Sequence, residues 1–539
     1  MSATAAIPGL YYTFVRPPHA PSALRTDVAG FFGRTVRGPV ATPVRVEGWR
    51  EYQSVFGGLT EDADTPYAVR GYFDNDAQVA HIIRLLGTGS QTASGTWNAG
   101  SFNAATGTLD PDWPGASRLT ALQFQVQATS PGTWANGTTV EFRYWLKGAG
   151  GNPEIQIEIA PPKESRELLT GLSPATLADQ VNAQSAYIRL IPSALPTGLA
   201  AAALQSPPAA QGPRYYQWMP LSLAGGTELA PVSHDYLHAV KLLGDQPEVA
   251  LVTSPDLYHP DFPVETAQFQ VLNALLDQAN RLHDRLIVID VPKSQADPPL
   301  AAAWAQRLRE AVRPSPGASP TDALRNGAVY HPRLLVPDPL GGVASPLRCT
   351  PNSGCVTGVI SRLDLQQGAY LTPANAEIDG AVDLSVLLDA NEQAMVYAGG
   401  LNLLTCSPNR GLLVWGGRVL DANPLGGFVA HRRLIHLLVR AIRAVAEPLV
   451  FDTNGPQLWL AFTRSITTVL LQAYRAGALQ GDTPAQAFQV TCDATTNPPS
   501  QIDAGMVVCL VQVAPAIPME FITLRVSVSA QGQLEVFES

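Results

Sequence analysis

The segment SPDLYHPDFPVE holds three groups able to move a proton or hold a cation, Asp256, His259 and Asp261, and Asp290 closes the later segment DRLIVIDVP. A carboxylate can orient an imidazole as a general base, and carboxylates with an imidazole can bind a divalent metal through oxygen and nitrogen. The surrounding pattern puts them where α/β proteins do chemistry. EVALVTSP reads as a buried strand, VETAQFQVLNALLDQANRLH as a helix with apolar residues at helical period, and DRLIVIDVP as a second buried strand. Such a β-α-β unit implies parallel pairing, with Asp256, His259 and Asp290 at strand ends facing one crevice. The enzyme that this would support is an α/β hydrolase or a metal-dependent enzyme. The structural alternative is that Asp and His beside prolines are ordinary loop residues, with Ser254 or Glu265 capping the helix. No nucleophile elbow, phosphate-binding loop, H-E-x-x-H helix or dinucleotide fingerprint accompanies the cluster, which favours the structural alternative.

A second candidate is CDATTNPPSQIDAGMVVCLVQVAPAIPMEFITLRV, where Cys492 abuts Asp493, Asn497 precedes a double proline and Asp503 stands before an apolar run. It is either a catalytic wall or a device for turning the backbone. The five cysteines show no paired zinc spacing and no disulfide framework, so all are expected to be reduced structural thiols, Cys349 and Cys355 included.

The elements that must hold these residues divide the chain. At 539 residues it exceeds what one hydrophobic core usually supports. From Ile7 to Leu86 extended and helical stretches mix. From Gly87 to Gly225 the texture turns to Thr, Ser, Gly and Asn with alternating runs such as LQFQVQAT, TVEFRYWL and IQIEIA, which predict a β-rich inserted domain. From Gly226 the pattern is α/β. His431 to Glu447 is predicted helical, with Leu434, Leu438, Ile442 and Val445 on one stripe and Arg433, His436, Arg440 and Arg443 on another. The basic stripe is either a solvated face or a docking surface for an acidic patch on an identical subunit. Gln457 to Arg475 is a second helix with Trp459, Phe462, Ile466 and Leu470 inward. Asp482-Thr483-Pro484 then supplies an N-cap and an N1 proline for a short helix before the strand FQVTCD.

The formal charge of −10 disfavours a protein that coats nucleic acid, and 15% charged residues suggest much covered surface. No window approaches eighteen apolar residues, and the first residues lack a basic and an apolar signal region, so a soluble chain without a secretion signal is expected. Both ends carry strand patterns: GLYYTFV, tethered by RPPHAP, and PMEFITLRVSV after Pro515. A strand that no neighbour in its own domain takes is a template for another chain. Two such strands at opposite ends suggest head-to-tail exchange and an open polymer.

The chain resembles the contractile tail sheath proteins of phages and of bacterial contractile injection systems. The resemblance rests on IPGLYYTFV, on VAGFFGRTVRGPVATPVRVEGWREYQSVFGGL with its F-x-G, R-G-P and F-G-G landmarks, and on the turn TSPGTWANG. It continues through YHPRLLVPDP, TPNSGCVTGVISRLD and YLTPAN. Its most specific blocks are C-terminal: RGLLVWGGRVL, HRRLIHLLVRAI, FDTNGPQLWLAFTRSITTVLLQAYRAGALQGDTPAQAFQVTCDATTNPP and IDAGMVVCLVQVAPAIPMEFITLRV, in order and near-standard spacing. By this resemblance Cys492 to Asn497 is a structural turn. Cys355 stands where the family usually has histidine, so that position is not a ligand, and SAQGQLEVFES is longer than the usual ending, to lengthen the exchanged strand or to fold back.

The resemblance implies an α/β, more strictly α+β, multidomain fold: a core built from both chain ends, a β-rich outer insertion and terminal strands exchanged between subunits. The expected divisions are an N-terminal arm 1–25, the first part of the core 26–86, the insertion 87–225, a central domain 226–400, a polymerising domain 401–518 and a terminal strand and tail 519–539. The expected interface residues are Pro8, Gly9, Leu10, Tyr11, Tyr12, Phe14, Arg433, Arg440, Arg443, Phe521, Ile522, Leu524 and Val526. The implied function is a helical homo-oligomer around an inner tube, bound to baseplate and cap or terminator proteins, contracting to drive the tube through a membrane. It would be made and assembled in the bacterial cytoplasm as part of a virion tail or injection particle. No enzyme activity, cofactor, metal, nucleic acid or direct membrane insertion is expected.

Overall fold

The computed structural model describes residues 25–98, 102–103, 108–109, 123–146, 153–172, 176–191, 214–217, 220–315, 319–421, 427–449, 454–515, 522–528 and 534–538. Its centre is a nine-stranded sheet in the order Ala376–Glu377, Gly411–Trp415, Asn402–Ser407, Gly327–His331, Leu286–Asp290, Leu251–Thr253, Ala29–Gly33, Ala80–Arg84, Val44–Val46. The six strands from Asn402–Ser407 to Ala80–Arg84 are parallel, and the outer ones antiparallel. AGFFG, AHIIR, LIVID and GAVYH are buried at every position, as parallel strands covered on both faces must be. Alternation sorts their side chains. Phe32, Ile287 and Ile289 enter one core with the helices Ser233–Gly244, Glu265–Leu282 and Pro298–Ala311. Phe31, Val288 and Tyr330 enter the other with Thr65–Asp74 and Ser353–Gln366.

The β-α-β unit read around residue 270 is therefore present, but it is completed by strands far away in the chain. Ala29–Gly33 and Ala80–Arg84 sit inside the sheet, and Asn402–Ser407 with Gly411–Trp415 extend it. The boundary at 400/401 is thus corrected: a domain cut there would strip three strands from one sheet, since among the described residues Ala376–Glu377 joins the sheet through Gly411–Trp415. Two compact units result, residues 26–433 and residues 1–25 with 434–539, the boundary falling within the helix Val429–Ala446.

In the insertion, Gln123–Ala128, Thr139–Leu146 and Pro153–Ala160 are strands of two small sheets. They close on a core of their own that includes Val126, Phe142, Ile157 and Ile188.

In the C-terminal unit, Pro456–Arg475 buries Trp459, Phe462, Ile466 and Leu470. It accompanies a four-stranded antiparallel sheet ordered Phe488–Thr491, Val507–Val513, Ile522–Val528, Leu534–Glu538. No helix among the described residues is long and apolar enough to cross a membrane.

Candidate functional site

Asp256 lies one turn beyond the strand Leu251–Thr253 and is buried. Its carboxylate accepts the backbone N–H groups of Arg34, Asp64 and Thr65 at 2.8, 2.6 and 3.3 Å, and the Thr65 hydroxyl at 2.6 Å. It closes the N-terminus of the helix Thr65–Asp74, whose first N–H groups have no partner within the helix. Burial, with the Asp64 charge adding, raises its pKa against those hydrogen bonds. Asp290 does the equivalent for Ser353–Gln366, accepting the Ser353 N–H at 2.9 Å. Burial pushes it up to about 6, opposed by Arg333.

His259 faces elsewhere. Arg34 Nη1 lies 2.9 Å from its Nδ1 and donates to Asp261 Oδ2 at 2.8 Å, and the Asp261 N–H donates to Nδ1 at 3.2 Å. Among the described residues the His259 backbone N–H donates to the Asp256 carbonyl at 3.1 Å, but no hydrogen bond joins the side chain of His259 or Asp290 to the Asp256 carboxylate, and no cluster of His, Cys, Asp and Glu could hold a metal ion. The crevice predicted around Asp256, His259 and Asp290 is therefore not assembled. The two carboxylates order two helices, and the imidazole packs with an arginine.

Those helices meet through glycine. A Cβ on Gly354 would stand 2.1 Å from the carbonyl oxygen of Ala68, and one on Gly358 2.6 Å from that of Tyr72. The segment TPNSGCVTGVISRLD thus uses its small residues for backbone contact, with Cys355 buried in the same seam.

The basic stripe is corrected. Arg433 is 2% exposed, ion-paired with Asp364 and donating to the Thr26 carbonyl at 2.7 Å. Arg440 is 7% exposed and donates to the Arg25 carbonyl at 3.2 Å, His436 is buried, and Arg443 is half-buried. Neither a solvated face nor a free docking surface describes Arg433 and Arg440. The guanidiniums satisfy carbonyls of the chain entering the core at residues 25–26. Helical period alone could not show this, because the partners lie some 400 positions away.

The terminal strands divide. Pro8, Gly9, Leu10, Tyr11, Tyr12, Phe14 and Phe521 lie outside the described residues. Ile522–Val528, with Ile522, Leu524 and Val526, does not project from its own chain. It pairs from Val507↔Val528 to Val513↔Ile522 on one side and with Leu534–Glu538 on the other. The tail folds back, and the sheet's outer strands are Phe488–Thr491 and Leu534–Glu538.

The reduced state expected for all five cysteines is also corrected: Cys492 and Cys509 are disulfide-bonded, and Cys349, Cys355 and Cys406 are free. Asn497 holds the turn between the bonded pair, its Nδ2 donating to Val508 O and its Oδ1 accepting the Val508 N–H, at 3.0 and 2.6 Å.

A joint that the sequence did not single out connects the insertion to the central sheet. The guanidinium of Arg84 is buried and donates to the carbonyls of Gly38 and Pro131 at 3.1 and 2.9 Å. Gly38 N–H donates to Ser130 Oγ at 3.1 Å, and Arg37 lies over the Tyr187 ring. The R-G-P and S-P-G-x-W segments thus meet. Burial lowers the Arg84 pKa to about 10, with Glu228 opposing. Beside the joint a cleft of about 1420 Å³ is lined by Arg34, Arg50, Lys163, Glu61, Glu164 and Asp261 among others, a balanced charge set that favours no single ligand.

Residues 421–529 match the family described as phage tail sheath C-terminal domain. The tail sheath protein of Vibrio phage KVP40 is 29% identical over 182 residues, which is 33% of this chain and 26% of that protein. The chain thus matches about a quarter of that relative's length. A sheath tail protein from Listeria innocua superimposes with a TM-score of 0.60 at 10% identity, over 95% of this chain and 97% of that one. The helical sheath of the anti-feeding prophage in its contracted state gives 0.53 at 19%, over 96% and 98%. Residues 421–529 thus match the phage tail sheath C-terminal domain, and the chain as a whole has the fold of tail sheath proteins.

Proposed function

We propose that the chain is the repeating subunit of a contractile sheath, polymerising around an inner tube and contracting to drive that tube through a target membrane. The observation that carries the reading is the C-terminal unit: a segment matching the sheath domain and built on a sheet whose two outer strands, Phe488–Thr491 and Leu534–Glu538, each offer an edge suited to joining a strand of a neighbouring subunit. Work is done by rigid-body rearrangement of a bistable lattice, and no step requires a catalytic group. The commitment of Asp256 and Asp290 to helix ends supports that part of the reading. Baseplate, cap and tube proteins are the partners, with assembly in the bacterial cytoplasm. Co-expression with the tube protein should yield sheathed tubes by negative stain. A chain that stays a small soluble oligomer with its tube, baseplate and cap all present would overturn the proposal.

A further inference from the structure

We propose that Cys492 and Cys509 form a reversible, oxidation-dependent staple on the C-terminal sheet, a redox site that leaves the backbone path unchanged. The ladder pairs Phe488↔Val513, Gln489↔Gln512, Val490↔Val511 and Thr491↔Leu510, so the next opposed positions are Cys492 and Cys509. Their Cα atoms are 4.5 Å apart, the spacing of directly opposed residues at a non-hydrogen-bonded site of an antiparallel ladder. The strands themselves bring the sulfurs together.

The excursion between them is closed mainly through oxygen and nitrogen, with Asn497 Nδ2 also 3.9 Å from Cys492 Sγ. Asn497 Nδ2 donates to Asp493 O at 3.1 Å and Val508 O at 3.0 Å, and Asp493 Oδ1 accepts the Thr495 N–H at 2.8 Å. A reduced chain therefore keeps the same turn. The bond acts on the opened state, removing conformations in which the two strands part. Val507–Val513 is the inner strand flanked by Phe488–Thr491 and Ile522–Val528, so the staple holds the strand on which the end of the chain is built.

Cys492 is half-buried and Cys509 buried, which orders the chemistry. With a small disulfide such as oxidised glutathione as oxidant, the Cys492 thiolate attacks one of its sulfurs, that S–S bond breaks and one glutathione thiolate leaves. Cys509, having lost its proton, attacks Cys492 Sγ and expels the second. Two protein thiols lose two electrons, one glutathione disulfide gains them, and two protons pass to solvent; a reducing thiol pool runs the sequence backwards. Cys355 is no competitor, its thiol pushed up to about 12 by burial. The site stands on the geometry of this chain alone. Only its timing, reduced during assembly and oxidised after release from the cell, rests on the sheath reading.

The test uses the full-length chain purified with reductant and then divided, one half treated with oxidised glutathione. After alkylation in denaturant, all 5 cysteines should be modified in the reduced half, with Cys492 and Cys509 protected in the other. The oxidised half should be cleaved about tenfold more slowly within 488–528 by a non-specific protease. Cys492→Ser and Cys509→Ala should abolish the difference, and backbone hydrogen-exchange patterns outside this sheet should be the same in both halves. Free alkylation of both residues after oxidation of the folded chain would overturn the staple, as would equal protease resistance. Tubes that assemble only from oxidised chain would overturn the timing. No tubes from either half would count against the sheath reading, while the mass and protease results would still decide the staple.

Discussion

Asp290 Oδ1 accepts the backbone N–H of Ser353 across 63 residues of sequence at 2.9 Å, setting a buried carboxylate at the start of a helix. A helix N-terminus favours the anion by a fraction of a kilocalorie to about 2 kcal/mol, whereas desolvating a carboxylate costs several. The net result is a group raised from 3.8 to about 6.

This fixes the sign of a pH effect. A carboxylate whose folded pKa is raised favours folding fully below its unfolded pKa and loses that contribution as pH rises through the folded value. Asp290 and Asp364, both raised from 3.8 to about 6, therefore weaken the fold between about pH 4 and 6. His331, lowered by burial from 6.5 to about 4, acts in the opposite sense over the same window, losing its contribution as pH falls. Asp290→Asn should gain on the wild type as pH rises from 4 to 6, by up to about 3 kcal/mol, and hold that gain above. Urea unfolding at pH 4, 5 and 7 measures it; a constant offset at all three would show that Asp290 does not titrate in this range.

Arg433 and Asp364 form a buried ion pair. Removing one partner leaves the other charge unpaired, so Asp364→Ala should cost about 3–5 kcal/mol, and the double change Arg433→Met with Asp364→Leu should recover most of it. Charge reversal at Arg440 should likewise act on folding of the chain, because its guanidinium serves the Arg25 carbonyl. A reversal that leaves the melting temperature untouched while altering the lattice would restore the docking face.

How legible all this was follows from distance along the chain. Strands such as LIVID and helices such as Pro456–Arg475 announce themselves because period and burial are local. The register of Asn402–Ser407 beside Gly327–His331 is not local, and the boundary at 401 went astray for that reason. Asp256 looked catalytic because strand ends in α/β sheets often are. Its real partners, Arg34, Asp64 and Thr65, lie about 200 positions earlier, where nothing in its own segment points to them. Cys492 and Cys509 lie 17 positions apart, an interval that only the closed turn makes short.

The glycine seam makes a graded prediction. Gly354→Ala must push a methyl against the Ala68 backbone at 2.1 Å, whereas Gly71→Ala meets only the Cys355 sulfur at 2.5 Å. Backbone yields less than a side chain. Gly354→Ala should destabilise by about 2 kcal/mol or more even after the roughly 1 kcal/mol gained in helix propensity, and Gly71→Ala by less. Combining Gly71→Ala with Cys355→Ala should relieve most of its cost; equal losses at both glycines would refute the ordering.

Arg84 tests the joint. Arg84→Met leaves the Gly38 and Pro131 carbonyls without their buried donor, a penalty of about 1–3 kcal/mol each. The insertion keeps its own core around Phe142 and Ile157, so it should stay folded while its attachment loosens. Faster proteolysis at residues 87–93 and 223–230, with unchanged protection of the strand Thr139–Leu146, is the expected pattern. Simultaneous loss of protection in both would mean that the insertion cannot stand without its anchor.

Truncation at the C-terminus separates the chain's own sheet from the lattice it is proposed to join. Removing 529–539 deletes Leu534–Glu538 and uncovers one side of Ile522–Val528. Removing everything after Pro515 also takes Ile522–Val528 and strips hydrogen bonds from Val507–Val513, whose Val507, Val508, Cys509, Val511 and Val513 are buried. Each lost backbone hydrogen bond costs about 0.5–1.5 kcal/mol net, so the first truncation should leave a folded unit and the second should weaken it by several kcal/mol. The discriminating readout is hydrogen exchange at the Val507–Val513 amides in the free chain and in assembled tubes. If a neighbour supplies a strand, amides exposed by the second truncation should regain protection on assembly with wild-type subunits. The same amides exchanging equally fast in tubes and in the free truncated chain would mean that the sheet is completed only from within, and that the subunits are joined elsewhere.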